Sequence, residues 1–192
     1  MFVMEKLQQN IGYTFNNVAL LEHALTHSSF ANEKKGKITS NERLEFLGDS
    51  VLGMVVAEHL YKTFPDRPEG ELTRMRADMV CETSLAQIAH KINLGNYLLL
   101  GHGEEQSGGR NRPSILADAV ESVIAACFLD GGLAAAEQFV KQDILVEVPV
   151  KKLHNADYKT ALQEIVQKSH QETLSYRVAE EIGPDHQQVV LD

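Results

Sequence analysis

Two long apolar stretches that carry acidic residues at helical spacing constrain this chain more than any other sequence feature. Residues 41–64, which begin NERLEFLGDSVLGMV and end before a proline, are predicted to form a helix. This helix is apolar nearly all the way round, yet it carries Glu42, Glu45 and Asp49. Like charges three or four residues apart stack on one side of a helix and destabilise it. These acids therefore need a partner or a function.

A second predicted helix, SILADAVESVIAACFLD at residues 114–130, has the same character. Asp118 and Glu121 lie at i and i+3, as Glu45 and Asp49 lie at i and i+4 in the first helix. A helix that is apolar all round is usually buried, and an uncompensated buried carboxylate is costly. Two packed helices with facing acid pairs would form an oxygen-ligand cage for Mg²⁺. Two such ions suit phosphodiester hydrolysis.

Two other interpretations of the acid pairs remain open at this point. Acidic pairs on a helix most often form a solvated face. A di-iron carboxylate bundle is the alternative metal site, and it requires Glu-x-x-His on paired helices. Neither acidic helix has that pattern, because Glu42 is followed three residues on by Glu45, and Asp118 by Glu121.

Glu42 and two histidines have structural alternatives as well. Residues 39–42, Thr-Ser-Asn-Glu, fit a capping box, in which Glu42 would only complete the start of the helix. His23 and His27 lie at i and i+4, a spacing that suits a metal pair. Ala24 stands where a zinc protease would have its glutamate, so structural roles near a helix end are favoured for both histidines.

Most of residues 1–148 is predicted to be helical. Further helices are predicted over residues 17–27, 71–80, 82–93 and 133–147. SSFANEKKGKITS is predicted to be a polar loop, and the glycine-rich GHGEEQSGGRNRP a mobile one. Gly131-Gly132 is predicted to end the second apolar helix. Gly48 and Gly53 are expected to let another backbone approach the first.

The formal net charge is −9, which alone argues against a nucleic-acid partner unless the acids are gathered to hold cations. Cys81 and Cys127 are predicted to be small buried thiols, and a reducing, cytoplasmic location is the natural expectation. No apolar run approaches the length of a membrane span, and the N-terminus has no signal-peptide pattern. No membrane association is therefore expected.

These residues together resemble bacterial ribonuclease III. The resemblance rests on NERLEFLGD (41–49), the signature stretch of that family. Four further stretches support it in the family's order and spacing: LTHSSFANE (25–33), FPDRPEGELTRMRA (64–77), SILADAVES (114–122) and FLDGG (128–132). Residues 157–190 resemble the start of the family's double-stranded-RNA-binding domain, with DYKTALQE as its first helix and GPDHQQ as the turn between its first two strands.

The resemblance implies an all-α fold for residues 1–149, the helical bundle of the ribonuclease III endonuclease domain. Residues 150–156 would be a linker. Residues 157–192 would then be an incomplete α+β double-stranded-RNA-binding domain, with the first helix, the first strand and the start of the second strand. Such a domain would lack the third strand and second helix that close its core.

The resemblance also implies an activity, which is Mg²⁺-dependent endonucleolytic hydrolysis of double-stranded RNA in rRNA and mRNA processing. The products would carry 5′-phosphate and 3′-hydroxyl ends with short 3′ overhangs, and Mn²⁺ is expected to substitute for Mg²⁺. The enzyme would act as a homodimer through the signature helix, residues 41–64. The alternative is a catalytically idle protein of the same fold that binds RNA or acts as a scaffold.

Site residues follow from the resemblance position by position. The metal-binding and catalytic acids would be Glu45, Asp49, Asp118 and Glu121, with Glu121 the most directly tied to hydrolysis. Glu42 and Glu69 match acids along the dimer edge of the RNA-binding valley. Contacts to duplex RNA would come from six residues of the second domain: Thr160, Gln163 and Glu164 on its first helix, and Pro184, Asp185 and His186 in the turn.

Overall fold

A computed structural model describes the backbone of residues 2–35, 37–145, 180–182 and 189–191. The chain divides into two compact units, residues 1–150 and 151–192. Within these described ranges the first unit is all-α, as predicted. Its helices are α1 (Phe2–Ile11), α2 (Val18–Ala24), α3 (Ser28–Glu33), α4 (Glu42–Thr63), α5 (Glu69–Val80), α6 (Glu82–Lys91), α7 (His102–Gln106) and α8 (Pro113–Phe139). Short 3₁₀ turns precede and follow α7 at Leu94–Tyr97 and Gly109–Asn111, and a π-helical turn follows α8 at Val140–Ile144.

Helix α8 is the centre of the first unit. It packs most extensively against α4, and also against α6 and α2. Its residues from Ile115 to Cys127 are buried except for Asp118 and Glu121, which are half-buried. The sequence is apolar on every side because other helices surround α8, and burial of that surface is the main source of the unit's stability.

The segment Pro113–Ile144 is long and apolar enough, by length and composition alone, to cross a membrane. The sequence pattern did not indicate this, because the acids interrupt the apolar run. Helix α8 is instead packed inside the first unit, and burial of this kind is what marks the core helix of a globular fold.

Helices α4 and α8 touch through their backbones at Gly48. A Cβ atom built on Gly48 would lie 1.8 Å from the carbonyl oxygen of Glu121, which is far inside van der Waals contact. The predicted close approach is therefore confirmed at this glycine, and it occurs within the chain. Gly53 differs, because a Cβ atom there would meet nothing within 4 Å.

Two stretches predicted to be loops contain helices. Helix α3 forms because the imidazole Nδ1 of His27 accepts a hydrogen bond from the Ser29 amide at 3.2 Å and caps its first turn. Helix α7 begins where the Glu33 carboxylate accepts a bond from the His102 amide at 2.6 Å. Arg110 then donates two 2.9 Å bonds to the carbonyl oxygens at 95 and 98. The contacts of Glu33 and Arg110 span 12 or more residues and were invisible in the local sequence. The prediction that both stretches are loops throughout was therefore wrong, while the mobility of the second stays a prediction.

The predicted stop of the second apolar helix is confirmed as a break at Gly132, which has φ 73° and ψ −170°. Helical structure then resumes and continues to Phe139. Just before the break, the Asp130 carboxylate accepts bonds from the Asn16 and Asn17 amides, both at 2.8 Å. The Tyr13 hydroxyl donates to the same carboxylate at 2.8 Å. The FLDGG stretch thus fastens the end of α8 to the segment before α2.

In the second unit, strands β1 (Glu180–Ile182) and β2 (Val189–Leu191) pair antiparallel, with Glu180 opposite Leu191. Two strands joined by the GPDHQQ segment were predicted here, and the described part of each is a strand. The predicted helix at the start of this unit lies outside the described residues. So do the six predicted RNA contacts, Thr160, Gln163, Glu164, Pro184, Asp185 and His186.

The backbone contact at Gly48 predicts a large effect of one methyl group. We expect Gly48→Ala to lower the free energy of unfolding by about 1–3 kcal/mol, since overpacking of a tight contact costs this much. Urea denaturation followed by circular dichroism measures it. Gly70→Ala is the matched control, because a Cβ there meets nothing within 4 Å and α5 should gain helix propensity. Equal midpoints for Gly48→Ala and wild type would contradict the interpretation.

Candidate metal centre

The Gly48 contact brings the acid pairs of α4 and α8 together. Glu45 lies one turn before the crossing on α4, while Glu121 lies at the crossing itself and Asp118 one turn before it on α8. One carboxylate oxygen from each of Glu45, Asp118 and Glu121 lies within 4.8 Å of the other two. All three side chains are half-buried. Three of the four acids predicted from the sequence therefore form one group, which we call the carboxylate cluster.

The fourth predicted acid, Asp49, is exposed and lies outside the carboxylate cluster. Its charge nevertheless acts on the cluster, because it contributes to the raised pKa of Glu121. Asp49 thus lies at the rim of the site.

Burial and mutual repulsion make ionisation of the cluster unfavourable. Burial, followed by the charges of Asp49, Asp118 and Glu45, raises the pKa of Glu121 from 4.5 to about 7. Burial also raises the pKa of Glu45, with Asp118, Glu42 and Asp49 adding to the effect. A solvated acidic face would not show this degree of burial and coupling, so that alternative is disfavoured.

Asp118 follows the same pattern with one difference. Burial raises its pKa, the His27 imidazole opposes that rise, and Glu82 adds to it. The sequence pattern did not indicate that His27 lies near this acid. It did place His27 directly before SSF, where a polar side chain often caps the start of a helix.

Among the described residues, no Lys or Arg forms an ion pair with the cluster, and the His27 imidazole near Asp118 is the one basic group with a noted effect on it. In the described part of the chain, none of the ion pairs with Lys or Arg involves any of its three carboxylates. Arg112, which directly precedes α8, pairs with Glu104 at 2.6 Å. Half-buried carboxylates without a cation, at this spacing, provide the all-oxygen donor set that hard divalent cations prefer. The residues therefore fit a divalent metal ion.

The two histidines have structural roles. His23 Nε2 lies 2.8 Å from the Ser40 carbonyl oxygen and 3.1 Å from the Thr39 hydroxyl, so it holds the segment before α4. His27 caps α3. Helix α2 ends at Ala24, so the two imidazoles do not share a helix face. Neither histidine belongs to the carboxylate cluster, which agrees with the absence of a di-iron pattern.

Glu42 and Glu69 are both exposed. Helix α4 begins at Glu42 rather than three residues earlier, so the capping-box interpretation was wrong. The Glu42 carboxylate accepts a 2.8 Å hydrogen bond from the Ser40 hydroxyl, and its negative charge helps to raise the pKa of Glu45 in the cluster. Glu69, in the first turn of α5, accepts a 2.7 Å bond from the Thr73 hydroxyl.

The cysteine prediction is confirmed for one residue. Cys127 is buried in α8, and burial raises the pKa of its thiol to about 12, with Asp130 adding to the effect. Cys81 lies between α5 and α6 and is only half-buried, so it was wrongly predicted to be buried. Both are free thiols, and neither lies in the carboxylate cluster.

Comparison with known proteins identifies the family of this site. The sequence profile of the Ribonuclease-III-like family matches residues 17–148. The chain is 53% identical over 183 residues to Ribonuclease 3 of Caldanaerobacter subterraneus subsp. tengcongensis, covering 94% of this chain and 80% of that protein. Ribonuclease 3 of Borreliella burgdorferi is 47% identical over 188 residues, covering 97% of this chain and 77% of the relative.

Solved structures give the same result. The nuclease domain of ribonuclease III from Campylobacter jejuni, described as flexible in a region involved in dimer formation, matches with a TM-score of 0.71. It is 44% identical and covers 76% of this chain and 99% of its own. Dicer from Pichia stipitis matches with a TM-score of 0.53 at 27% identity, covering 91% and 79%. Because the family profile matches residues 17–148 and the two Ribonuclease 3 relatives are 53% and 47% identical to this chain, the chain belongs to the ribonuclease III family.

Proposed function

We infer that this chain is an endoribonuclease that hydrolyses double-stranded RNA with the help of divalent metal ions. The observation that carries this inference is the carboxylate cluster of Glu45, Asp118 and Glu121, found in a member of the ribonuclease III family. The family relation supports the nuclease activity, and the cluster supplies a place for its chemistry. No observation favours the alternative of an idle RNA-binding or scaffold protein.

We assign the metal site to the carboxylate cluster, with Asp49 as a further ligand from the rim. Mg²⁺ is the proposed ion, because it takes a few carboxylates and keeps waters and phosphate oxygens as its other ligands. Mn²⁺ has similar oxygen preferences and should substitute. When bound, a pair of such ions supplies an activated water and stabilises the leaving oxygen of an in-line displacement.

The protein's own contribution is to position charge before the substrate arrives. Glu45 and Asp118 come from separate helices and face one another, so a shared ion is held between two rigid elements. Glu121 carries a pKa near neutrality in the absence of metal and would release its proton on binding a cation. Water attack at phosphorus with departure of the 3′ oxygen yields the expected 5′-phosphate and 3′-hydroxyl ends.

Recognition of the duplex is proposed to rest on shape, since A-form RNA exposes its 2′-hydroxyls and phosphates but few base edges. The exposed Glu42 and Glu69 are proposed to line the edge of the RNA valley. Thr160, Gln163, Glu164, Pro184, Asp185 and His186 remain the proposed contacts of the second domain. Processing of rRNA and mRNA in the cytoplasm is the proposed setting, and it is compatible with two free cysteines.

We also propose a homodimer that forms through α4. Phe46, Met54 and Tyr61 are 77%, 50% and 74% exposed, although each is large and apolar or aromatic. Their spacings of eight and seven residues place them on one side of the helix. Gly53 lies on that same side with no neighbour within 4 Å, so another backbone could approach it. Two such sites, one cutting each strand, would give a staggered product.

The nuclease proposal predicts a specific loss of cleavage. We expect Glu121→Gln to slow cleavage of a labelled RNA duplex in Mg²⁺ by more than about 100-fold, since it removes a metal ligand and weaker outer contacts already cost 10–100-fold. Glu137→Gln is the matched control, because Glu137 lies on the same helix and pairs with Lys141 on the surface. If wild type binds the duplex but never cuts it, the scaffold alternative holds. Equal cleavage by both variants would refute the site assignment.

The raised pKa of Glu121 predicts how stability depends on pH without metal. The folded pKa of about 7 exceeds the ordinary 4.5, so the native state binds the proton more tightly. The contribution of Glu121 to the free energy of unfolding should therefore fall as pH rises from 4.5 to about 7. After allowance for solvent screening we expect a loss of roughly 1–2 kcal/mol.

The measurement is urea denaturation in a metal chelator at several pH values, for wild type and Glu121→Gln. The difference between the two proteins isolates the contribution of this side chain from that of other acids. Mg²⁺ should restore the stability of wild type above pH 7 and have little effect on the variant. A difference that does not change with pH would show that Glu121 ionises normally.

The dimer proposal predicts that a charge on the exposed side of α4 separates the subunits. We expect Met54→Glu to convert a dimer into a folded monomer, because a buried unpaired carboxylate is costly at an interface. Sedimentation velocity gives the mass, and circular dichroism checks folding. Leu129→Glu is the control, since Leu129 is similarly exposed at 51% but lies on α8, just before the break at Gly132. A dimer that persists in Met54→Glu would place the interface elsewhere.

A further inference from the structure

We propose that Asn41 and Ser122 are positioning residues that hold the two acidic helices in register for metal binding. This inference rests on the proposed metal site. Neither residue belongs to the carboxylate cluster, and both are buried, with exposed fractions of 4% and 0%. Asn41 directly precedes α4, which carries Glu45, and Ser122 directly follows Glu121 on α8.

Asn41 does not cap the helix that it precedes. Its side chain makes no capping bond to α4, although asparagine is among the best capping residues. The side-chain Nδ2 instead donates to the Ala24 carbonyl at 3.1 Å, and the backbone N–H donates to the Thr26 carbonyl at 2.8 Å. The side-chain Nδ2 and the backbone N–H of Asn41 are therefore both directed to the last residue of α2 and the short segment after it. The Asn41 side chain thus ties the start of α4 to α2 instead of capping α4.

The carbonyl oxygen of Asn41 joins the two acidic helices. It accepts from the backbone N–H groups of Leu44 and Glu45 at 2.8 and 2.9 Å, so it sets the first turn of α4. It also accepts from the Ser122 hydroxyl at 3.3 Å. One atom thus contacts the backbone of the cluster acid Glu45 and the residue next to the cluster acid Glu121.

The bond from Ser122 is not the default for a helical serine. A serine within a helix usually donates to the carbonyl four residues earlier in its own helix. Ser122 instead donates across the helix interface, although the bond is long for an O–H donor. Without the Ser122 hydroxyl, the Asn41 carbonyl still accepts from two backbone N–H groups, so the hydroxyl is not needed to satisfy that carbonyl. Its principal effect is therefore on the relative position of α4 and α8.

Small displacements matter at such a site. Metal-ligand sets tolerate errors of only about 0.5 Å, and loss of an outer partner typically weakens metal binding 10–100-fold. The Gly48 contact fixes the closest approach of the two helices, but a single point of contact does not by itself prevent small sliding or rotation about that point. The Asn41–Ser122 bond lies on the same pair of helices and limits this motion. A purely structural role predicts instead that metal affinity follows stability alone.

The test measures Mn²⁺ binding to the whole chain without RNA, by electron paramagnetic resonance of the free ion. We expect Ser122→Ala to weaken Mn²⁺ binding about 10-fold while the melting temperature changes by no more than roughly 2 °C. Ile124→Val is the matched control on the same buried helix. It should lower the melting temperature at least as much as Ser122→Ala, yet keep the wild-type affinity for Mn²⁺.

A double-variant cycle tests whether both residues act through one connection. Asn41→Ala removes the side-chain bond to Ala24 but keeps the backbone bond to Thr26 and the carbonyl that accepts from Ser122. Because the start of α4 is then held less firmly, Ser122→Ala should weaken Mn²⁺ binding less in that background than in wild type. At saturating Mn²⁺, RNA cleavage by Ser122→Ala should recover most of the wild-type rate, because the ligands themselves are intact.

Four results would overturn the proposal. Wild-type affinity in Ser122→Ala would show that the bond does not position the ligands. Equal losses in Ser122→Ala and Ile124→Val would show a structural role only. Fully additive losses in the double variant would show that Asn41 and Ser122 do not act through one connection. Glu121→Gln separates this inference from the proposed function. If wild type binds Mn²⁺ and Glu121→Gln does not, the metal site stands whatever Ser122→Ala does, and no binding by wild type would overturn both.

Discussion

The backbone contact between α4 and α8 at Gly48 is the constraint on which the rest of the nuclease unit depends. Because no side chain separates the two helices there, Glu45 meets Asp118 and Glu121 across the interface. The same contact buries the apolar surface of α8, which supplies the core. Stability and chemistry therefore draw on one interface, and the fold cannot separate the helices without losing both.

The half-buried carboxylates at this interface destabilise the fold that brings them together. Burial and repulsion raise the pKa of all three cluster acids, and among the described residues no Lys or Arg pairs with them, while His27 opposes the rise only at Asp118. Natural proteins commonly accept such local conflict at functional sites. The apolar surroundings of α8 and the packing of α4 compensate for it. A divalent cation would remove the conflict, so metal binding and folding should reinforce one another.

The sequence predicted the parts of this structure that depend on local pattern. Glu45, Asp118 and Glu121 were identified because acids on apolar helices are conspicuous, and Gly48 because a glycine within a helix suggests close contact. Features that depend on distant partners were not predicted. Helix α7 needs Glu33, and the segment around it needs the bonds from Arg110 to residues 95 and 98, whereas the His27 cap of α3 was a local signal that the pattern of polar residues obscured. Asn41 was read as part of a capping motif, whereas its partners lie on α2 and α8.

The glycine contact also determines how this site can change over evolution. In most metal sites, ligand spacing depends on side-chain packing and shifts when core residues are exchanged. Here the closest approach of the helices is set by backbone atoms of Gly48 and Glu121, and no substitution elsewhere in the core can bring the backbones closer. Apolar residues of α4 and α8 can therefore change without altering this approach. The evolutionary constraint then falls on a few positions, the glycine and the polar residues that set the register, rather than on the core as a whole.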